Sequence, residues 1–530
     1  MKSRIITIFV LGSIIFSPVS FAQVTFQKTF GGTGLDYVYS VQQTFDGGYA
    51  LCGYSMSFGS GMEDIYLIKT NANGNIQWSK IFGGTSYDVS FSIQQTADSG
   101  YIISGATGSF GIGLLNVYLI KTDINGNTLW EKTYGQTFSD AAWSVKQTAD
   151  GGFIITGFNS PPIITNSDVY LIKTDAVGNL VWAKGFGGTN IDEGFVVEQT
   201  ADGGYVIIGR TGSFGAGSID IYLIKTDNTG NLLWSKTFGG AGDDWGYSLK
   251  QTNDGGYIIT GYTNSFGTGD YDACLIKTDS IGSLLWSKTY GGINSDGGYS
   301  IKQTSDGGFI VSGGTGSFGA GNSDSYLFKT DSNGVLLWSK TFGGAGGDGG
   351  GSVQQTIDGG FIIAGTTNSF GAGSLDIYLI KTDSLGNSGC NQGNAATIVT
   401  TPTIQVTSPA TVVSFPTTIE TSPSAIVSSG GTVTTLCTTV GIPPLSFGEG
   451  SGVRLFPNPS SGNFLITFEK EIKKGSIEVV NLLGEIIYSE NISNESEKEI
   501  HLTKVSPGIY IVKVATGENL YCRKIIIEGE

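Results

Sequence analysis

Asp220–Gly240 reads DIYLIKTDNTGNLLWSKTFGG, and versions of it recur through roughly two-thirds of the chain. The tryptophan inside it falls at Trp78, Trp130, Trp182, Trp234, Trp286 and Trp338, a spacing of 52 each time. A fixed period without insertions is the signature of a repeat architecture, in which each unit buries its apolar face against the next.

Working outward, each unit resolves into four strand-like runs. In the fourth unit they are Phe195–Thr200, Tyr205–Gly209, Asp220–Thr226 and Asn231–Phe238. The turns Ala201-Asp202-Gly203-Gly204 and Asp227-Asn228-Thr229-Gly230 lie between β-branched and aromatic runs, which predicts hairpins. No segment holds a helical period over a useful length. The first three runs occur seven times, but the run with the tryptophan occurs only six times. One period after Trp338 stands Cys390 in GNSGCNQG, which is no strand; one period before Trp78 stands Phe26 in VTFQKTFGG, a fourth run without the other three. An open solenoid would need capping units instead. Complementary leftovers predict an all-β, closed seven-bladed β-propeller over residues 23–387, with the N-terminal strand Val24–Phe30 closing the last blade.

Comparing the units separates framework from variation. Gln43, Gln95, Gln147, Gln199, Gln251, Gln303 and Gln355 are constant, as are Gly53, Lys69, Asp36, Asp46 and their equivalents. In the first run, Tyr39, Phe91, Trp143, Phe195, Tyr247 and Tyr299 share one face, and Ser40, Gly194, Gly246 and Gly298 stand on the other. The expectation is that each blade's bulky face interdigitates with its neighbour's small face. The Trp78 series reads as core. The Asp36 and Asp64 series fall on loops. A calcium ion needs six to eight converging oxygens, which one carboxylate per blade does not supply. The series therefore reads as acceptors for loop N–H groups, and no metal is assigned.

Departures from the repeat are the better ligand candidates. The position after the constant glycine holds Tyr54, Phe158, Arg210 and Tyr262, and the nearby loop positions hold Glu193 and Trp245. Arg210, Glu193, Trp245 and Tyr262 lie on adjacent blades and form a ligand-binding candidate, and Tyr54 and Phe158 are further candidates. Neutral drift among repeats yields the same variation. In the third unit Ser160-Pro161-Pro162-Ile163-Ile164 replaces the SFGxG loop.

Composition excludes several classes. Glycine is 83 of 530 residues and aromatics are 11%, without a Gly-X-Y period. The net charge of −16, with arginine only at Arg4, Arg210, Arg454 and Arg523, argues against nucleic acid. His501 is the sole histidine, so the repeats hold none for a Ser/His pair. Aspartate recurs in every unit, so no carboxylate pair stands out for glycoside hydrolysis. No CxxC spacing is present. Cys52 and Cys274 occupy core positions, while Cys390 and Cys437 flank the Thr/Ser/Pro-rich stretch, and the sequence leaves their pairing open.

The ends carry different signals. Lys2 and Arg4, the apolar run Ile5–Phe16 and Ser20-Phe21-Ala22 read as a signal peptide over residues 1–22. No later run is long enough to cross a membrane as a helix. Residues 388–444 read as an extended linker or stalk with room for some strand pairing. Residues 445–530 alternate like a small Ig-like β-sandwich.

Three resemblances follow. Lys225-Thr226-Asp227-x-x-Gly230-x-x-x-Trp234 resembles the tryptophan-docking hairpin of quinoprotein-like propellers, one residue shorter between Asp and Trp. It supports a blade fold. That family's cofactor site needs an arginine, adjacent cysteines and a calcium set that cannot be assigned here, so no cofactor is expected. The whole repeat resembles those of secreted Bacteroidetes-type proteins, some of them labelled endoglucanase. Pro457, Asn458, Pro459 and Gly462, then Asn481 and Gly484, then Pro507, Gly508, Tyr510 and Lys513 resemble the three motifs of the type IX secretion C-terminal sorting domain. This resemblance implies partnership with the type IX machinery, removal of the domain, and a secreted or outer-membrane surface-attached product. The combined expectation is a non-catalytic binding or adhesion platform for glycan or protein. A polysaccharide hydrolase and a structural surface-layer component are the alternatives.

Overall fold

The computed structural model describes residues 23–160, 166–416, 418–423, 426–428, 430, 432–438, 453–456, 460, 462–481, 486–502, 505, 508–516 and 520–527. The expected signal peptide and residues 161–164 of the third unit lie outside them. Among the described residues all regular elements are β-strands. The chain divides into two compact units, Gln23–Thr439 and one that takes in Val440–Glu530.

The fourth repeat forms strands Asp192–Gln199, Tyr205–Thr211, Asp220–Thr226 and Leu232–Gly239, hydrogen-bonded antiparallel in that order. Its first turn closes through Gly203 N–H to the Thr200 carbonyl (2.8 Å) and Thr200 N–H to the Gly204 carbonyl (2.9 Å). Gly203 has φ 83°, and a Cβ there would meet nothing within 4 Å. The left-handed backbone, not crowding, selects this glycine. In the seventh repeat, Phe26–Gly31 pairs antiparallel with Asp376–Thr382 and supplies the missing fourth strand.

The first strand of every repeat carries a β-bulge. In the fourth, the register shifts between Gly194 and Val196, leaving Phe195 outside the ladder. The same shift isolates Tyr39, Phe91, Trp143, Tyr247, Tyr299 and Gly351. The constant glycine sits opposite: a Cβ on Gly209 would stand 1.8 Å from the Glu193 carbonyl oxygen. Only glycine admits the bulged backbone so closely.

Consecutive sheets share cores. One apolar cluster joins the fourth and fifth repeats through Ile208, Leu223, Leu249 and Ile259. Others join the remaining neighbours in turn, and one joins the seventh to the first through Leu51, Ile68, Ile362 and Leu379. The constant glutamines bridge the same neighbours. The Gln95 side chain accepts the Phe45 N–H of the preceding turn (2.8 Å), and Gln43 accepts the Ile357 N–H of the seventh repeat (3.0 Å).

The described residues within 388–438 do not stand away as a stalk. They lay a fifth strand along the outer edge of all seven sheets. Gln392–Asn394 pairs with the sixth repeat, then Ile398–Thr400, Gln405–Thr407, Val412–Ser414, Ile419–Thr421 and Ile426–Ser428 pair with the fifth, fourth, third, second and first. Thr432–Thr438 pairs with Phe26–Gly31 on the seventh sheet. Thr400, Thr407, Ser414 and Thr421, seven residues apart, sit opposite Thr289, Thr237, Gly185 and Thr133, which are 52 apart. The segment advances one sheet per seven residues, against the direction of the repeats. Cys390 and Cys437 form a disulfide, and Cys52 and Cys274 are buried thiols.

The C-terminal unit has two antiparallel sheets. One contains Val453–Phe456, Asn463–Ile472 and Glu495–His501, the other Gly475–Asn481, Ile486–Ile492, Gly508–Thr516 and Leu520–Ile527. Phe464, Ile466 and Ile500 of the first share a core with Ile477, Val479, Val512 and Ile525 of the second. Gly462 has φ 106°, and its carbonyl accepts Leu502 N–H (2.9 Å). Asn481 lies opposite Tyr510, Lys513 opposite Glu478, and Gly508 opposite Ile527. Pro457, Asn458, Pro459, Gly484 and Pro507 lie outside the described residues.

Candidate functional site

First strands from all seven repeats line one cavity of about 600 Å³, within the size range of small-ligand pockets. The bulged aromatics form its wall. Centroids are 4.8 Å apart from Tyr39 to Phe91, 4.1 Å from Phe91 to Trp143, and 5.9 Å from Trp143 to Phe195. The series continues at 5.2 Å to Tyr247 and 5.4 Å to Tyr299. The seventh position is Gly351, which leaves a gap. These side chains were expected between sheets. The bulge turns them out of the alternating pattern, and they pack on one another around the cavity, with Tyr39 and Tyr299 36% and 40% exposed. The residue before the bulge meets the neighbouring sheet instead: a Cβ on Gly194 would press Thr156 and Val169 of the third repeat.

The structure brings Arg210, Glu193, Trp245 and Tyr262 together. Arg210 pairs with Glu193 through two nitrogens, Nη2 at 2.8 Å and Nε at 2.9 Å from Oε2. The guanidinium lies 3.8 Å from the Trp245 ring centroid. Trp245 in turn stacks on Tyr262 at 5.5 Å. Arg210, Glu193 and Trp245 line the cavity, while Tyr262 lines an adjacent hollow with Tyr37, Tyr271 and Tyr299. Burial raises the Glu193 carboxyl above its ordinary range, against the pull of Arg210. Tyr54 and Phe158 do not join this group. Tyr54 stacks on Tyr37 (5.5 Å), and Phe158 packs on Trp143 (6.5 Å).

A second level of the cavity escaped the sequence reading. Lys146, Glu198 and Lys302 line it, and Lys250 pairs with Glu198 at 2.9 Å. Burial, reinforced by Lys146 and Lys250, pushes the Lys302 ammonium down to about 8, and burial lowers Lys146 as well. The position just before each constant glutamine was the available signal.

The constant Asp36 series and the Asp64 series, in which the second repeat carries Asn116, have internal partners. Asp36 accepts Gly32 N–H (2.7 Å) and the Ser57 hydroxyl (2.6 Å), and Asp64 accepts Ser60 N–H (2.9 Å) and Gly61 N–H (3.0 Å). The Asp46 series pairs with the Lys69 series in every repeat, from Lys69–Asp46 at 2.9 Å to Lys381–Asp358 at 2.9 Å. Trp78 packs across the interface on Tyr101 of the next repeat, centroids 5.8 Å apart. Among the described residues no group of three His, Cys, Asp or Glu is set to hold a metal ion.

Comparison with known proteins gives one family model over the C-terminal residues and several partial likenesses. The chain is 24% identical over 323 residues to the uncharacterized WD repeat-containing protein L264 of Acanthamoeba polyphaga mimivirus, covering 43% of this chain and 22% of that one. It is 28% identical over 199 residues to the regulatory protein FlaEY of Caulobacter vibrioides, covering 32% of this chain and 20% of that one. The chain thus spans about a fifth of the length of these curated relatives. Among solved structures, the extracellular domain of a hybrid two component system from B. thetaiotaomicron aligns over 93% of this chain and 73% of its own, with 12% identity and a TM-score of 0.16. A eukaryotic initiation factor aligns over 69% of this chain and 100% of its own, with 7% identity and a TM-score of 0.32. Residues 454–528 match the family model of the secretion system C-terminal sorting domain, a tail that supports a secreted or cell-surface location.

Proposed function

We propose that the seven repeat sheets are the blades of a β-propeller whose central cavity binds a surface glycan or protein without catalysis, the product being released or held at the outer membrane. The shared core of the seventh and first repeats and the cavity lined by all seven first strands support the propeller reading. The observation that carries the binding reading is the Arg210–Glu193 pair laid over Trp245 at the wall of an aromatic cavity. A rigid aromatic wall with few fixed polar groups suits recognition of a ligand with flat apolar faces and polar edges. Glu193 is committed to Arg210, which gives it a binding and positioning role. The test is a glycan array on the purified full chain, run beside a reducing-sugar release assay on the same polysaccharides. Binding without release is expected. Release that survives removal of trace contaminants would replace this reading with a hydrolase, and Glu193 and Asp243, carboxylates at positions where the other repeats carry none, would be the first to substitute.

A further inference from the structure

The residue before each constant glutamine is Gln42, Gln94, Lys146, Glu198, Lys250, Lys302 or Gln354. Where it is Gln or Glu, its side-chain oxygen accepts the N–H of the constant glutamine in the following repeat. Gln42 accepts from Gln95 at 2.6 Å, Gln94 from Gln147 at 2.7 Å, Glu198 from Gln251 at 3.2 Å and Gln354 from Gln43 at 2.7 Å. Lysine has donors only, so Lys146, Lys250 and Lys302 forgo this inter-repeat bond. Three of seven repeats thus give up a framework contact and gain a cation. Glu198 neutralises Lys250. Among the described residues neither Lys146 nor Lys302 has a carboxylate within ion-pair distance. Glu198 attracts Lys146 and Lys302 from a distance but is paired with Lys250, so three ammonium groups share one carboxylate in this half-buried cavity, which is out of character for a chain of net charge −16. Lys146 and Lys302 are poised for an anion that can form charge-assisted hydrogen bonds. The aromatic level stands three residues away along each strand, about 10 Å, so a ligand touching both levels is longer than a single ring.

We propose that this cavity takes an acidic oligosaccharide, with a uronate carboxylate between Lys146 and Lys302 and sugar faces against the aromatic wall that carries Trp143, Phe195 and Tyr247. This deepens the binding-platform reading and rests on it. The test is titration calorimetry of the full chain with trigalacturonate, neutral galactotriose and sodium sulfate, on the wild type and on the Lys146→Gln/Lys302→Gln double variant. The glutamines restore the residue and the bond used by other repeats, so the variant should keep or raise its melting temperature. Trigalacturonate should bind the wild type at least tenfold more tightly than galactotriose. The variant should lose at least tenfold for trigalacturonate and nothing for galactotriose. Equal affinity for the two sugars, or an unchanged variant, overturns the inference while leaving the platform reading intact. Sulfate binding as tight as trigalacturonate overturns it as an adventitious ion only. Failure of the wild type to bind any array glycan sinks the glycan platform itself, and the inference with it.

Discussion

Cys390 is bonded to Cys437, sequence separation 47, and the segment between them pairs with one sheet after another around all seven repeats. The disulfide therefore joins the two ends of a strap that borders every sheet. A chain-entropy estimate for a loop of this length is about 4 kcal/mol, and measured disulfides contribute about 2–4 kcal/mol. Cys390→Ser should lower the melting temperature, and limited proteolysis should then cut within residues 395–430 before the repeats. Reduction of the wild type with dithiothreitol should reproduce both effects. An unchanged melting temperature with an uncut strap would show that strand pairing alone holds it.

Tyrosine on the third strand and threonine on the strap bond through their hydroxyls in three repeats: Tyr326 with Thr397 at 2.5 Å, Tyr222 with Thr411, and Tyr170 with Thr418. In the fifth repeat the tyrosine position holds Cys274 and the strap position holds Ile404, and both belong to one apolar cluster. The polar pair is replaced by an apolar pair on both sides at once. Cys274→Tyr should cost about 1–3 kcal/mol by overpacking and burying an unpartnered hydroxyl. Adding Ile404→Thr should recover part of this, with a coupling of about 1 kcal/mol in a double-mutant cycle. Strict additivity would show that the two sites do not communicate.

The strand pattern of the repeats was legible because Asp-Gly turns and β-branched runs act locally. The strap was not. Runs such as Ile398–Thr400 and Val412–Ser414 are three residues long, and their partners are set by the spacing of sheets more than a hundred residues away in sequence. The seven-residue period of Thr400, Thr407, Ser414 and Thr421 was visible but meaningless without those partners. At the site, Arg210, Glu193 and Trp245 stood out because they break the repeat. Tyr39 and its equivalents were misplaced because simple alternation has no term for a bulge. The constant Gly53 series held the clue, since a strand glycine often marks one.

Ser99 has φ 67° in the second repeat, where other repeats place glycine at the same turn position, as at Gly47 and Gly203. The left-handed region costs a side-chain residue about 1–2 kcal/mol. Ser99→Gly relieves this strain but adds freedom to the unfolded chain, so a net gain of about 0.5–1 kcal/mol is expected in denaturant melts. The reverse change, Gly203→Ser, should lose a similar amount. Its Cβ would meet nothing, so any loss reports the backbone alone.

Two sets of carboxylates oppose each other in their effect on stability with pH. Burial pushes Asp140, Asp168, Asp220 and Asp324 up to about 6. Burial also acts on Asp150, Asp202, Asp254 and Asp306, but the bonds from the neighbouring threonine, the paired lysine and a glycine N–H outweigh it and leave them at about 2. An unfolded aspartate titrates near about 3.9. For the first set the folded state binds protons more tightly, so its contribution is complete below pH ~4 and is lost as pH rises through 6. For the second set the contribution is complete above pH ~4 and is lost as pH falls through 2. The second set is largely solvent-exposed, at 59–65% for its carboxylates, so screening weakens it. Asp140, Asp220 and Asp324 are buried and should dominate. The melting temperature should therefore peak between pH 4 and 6, fall clearly toward pH 8, and fall again below pH 3. A melting temperature that climbs steadily from pH 5 to pH 8 would show that the buried aspartates stay ionised at little cost. Asp140→Asn should flatten part of the descent between pH 5 and pH 8 without moving the acid limb.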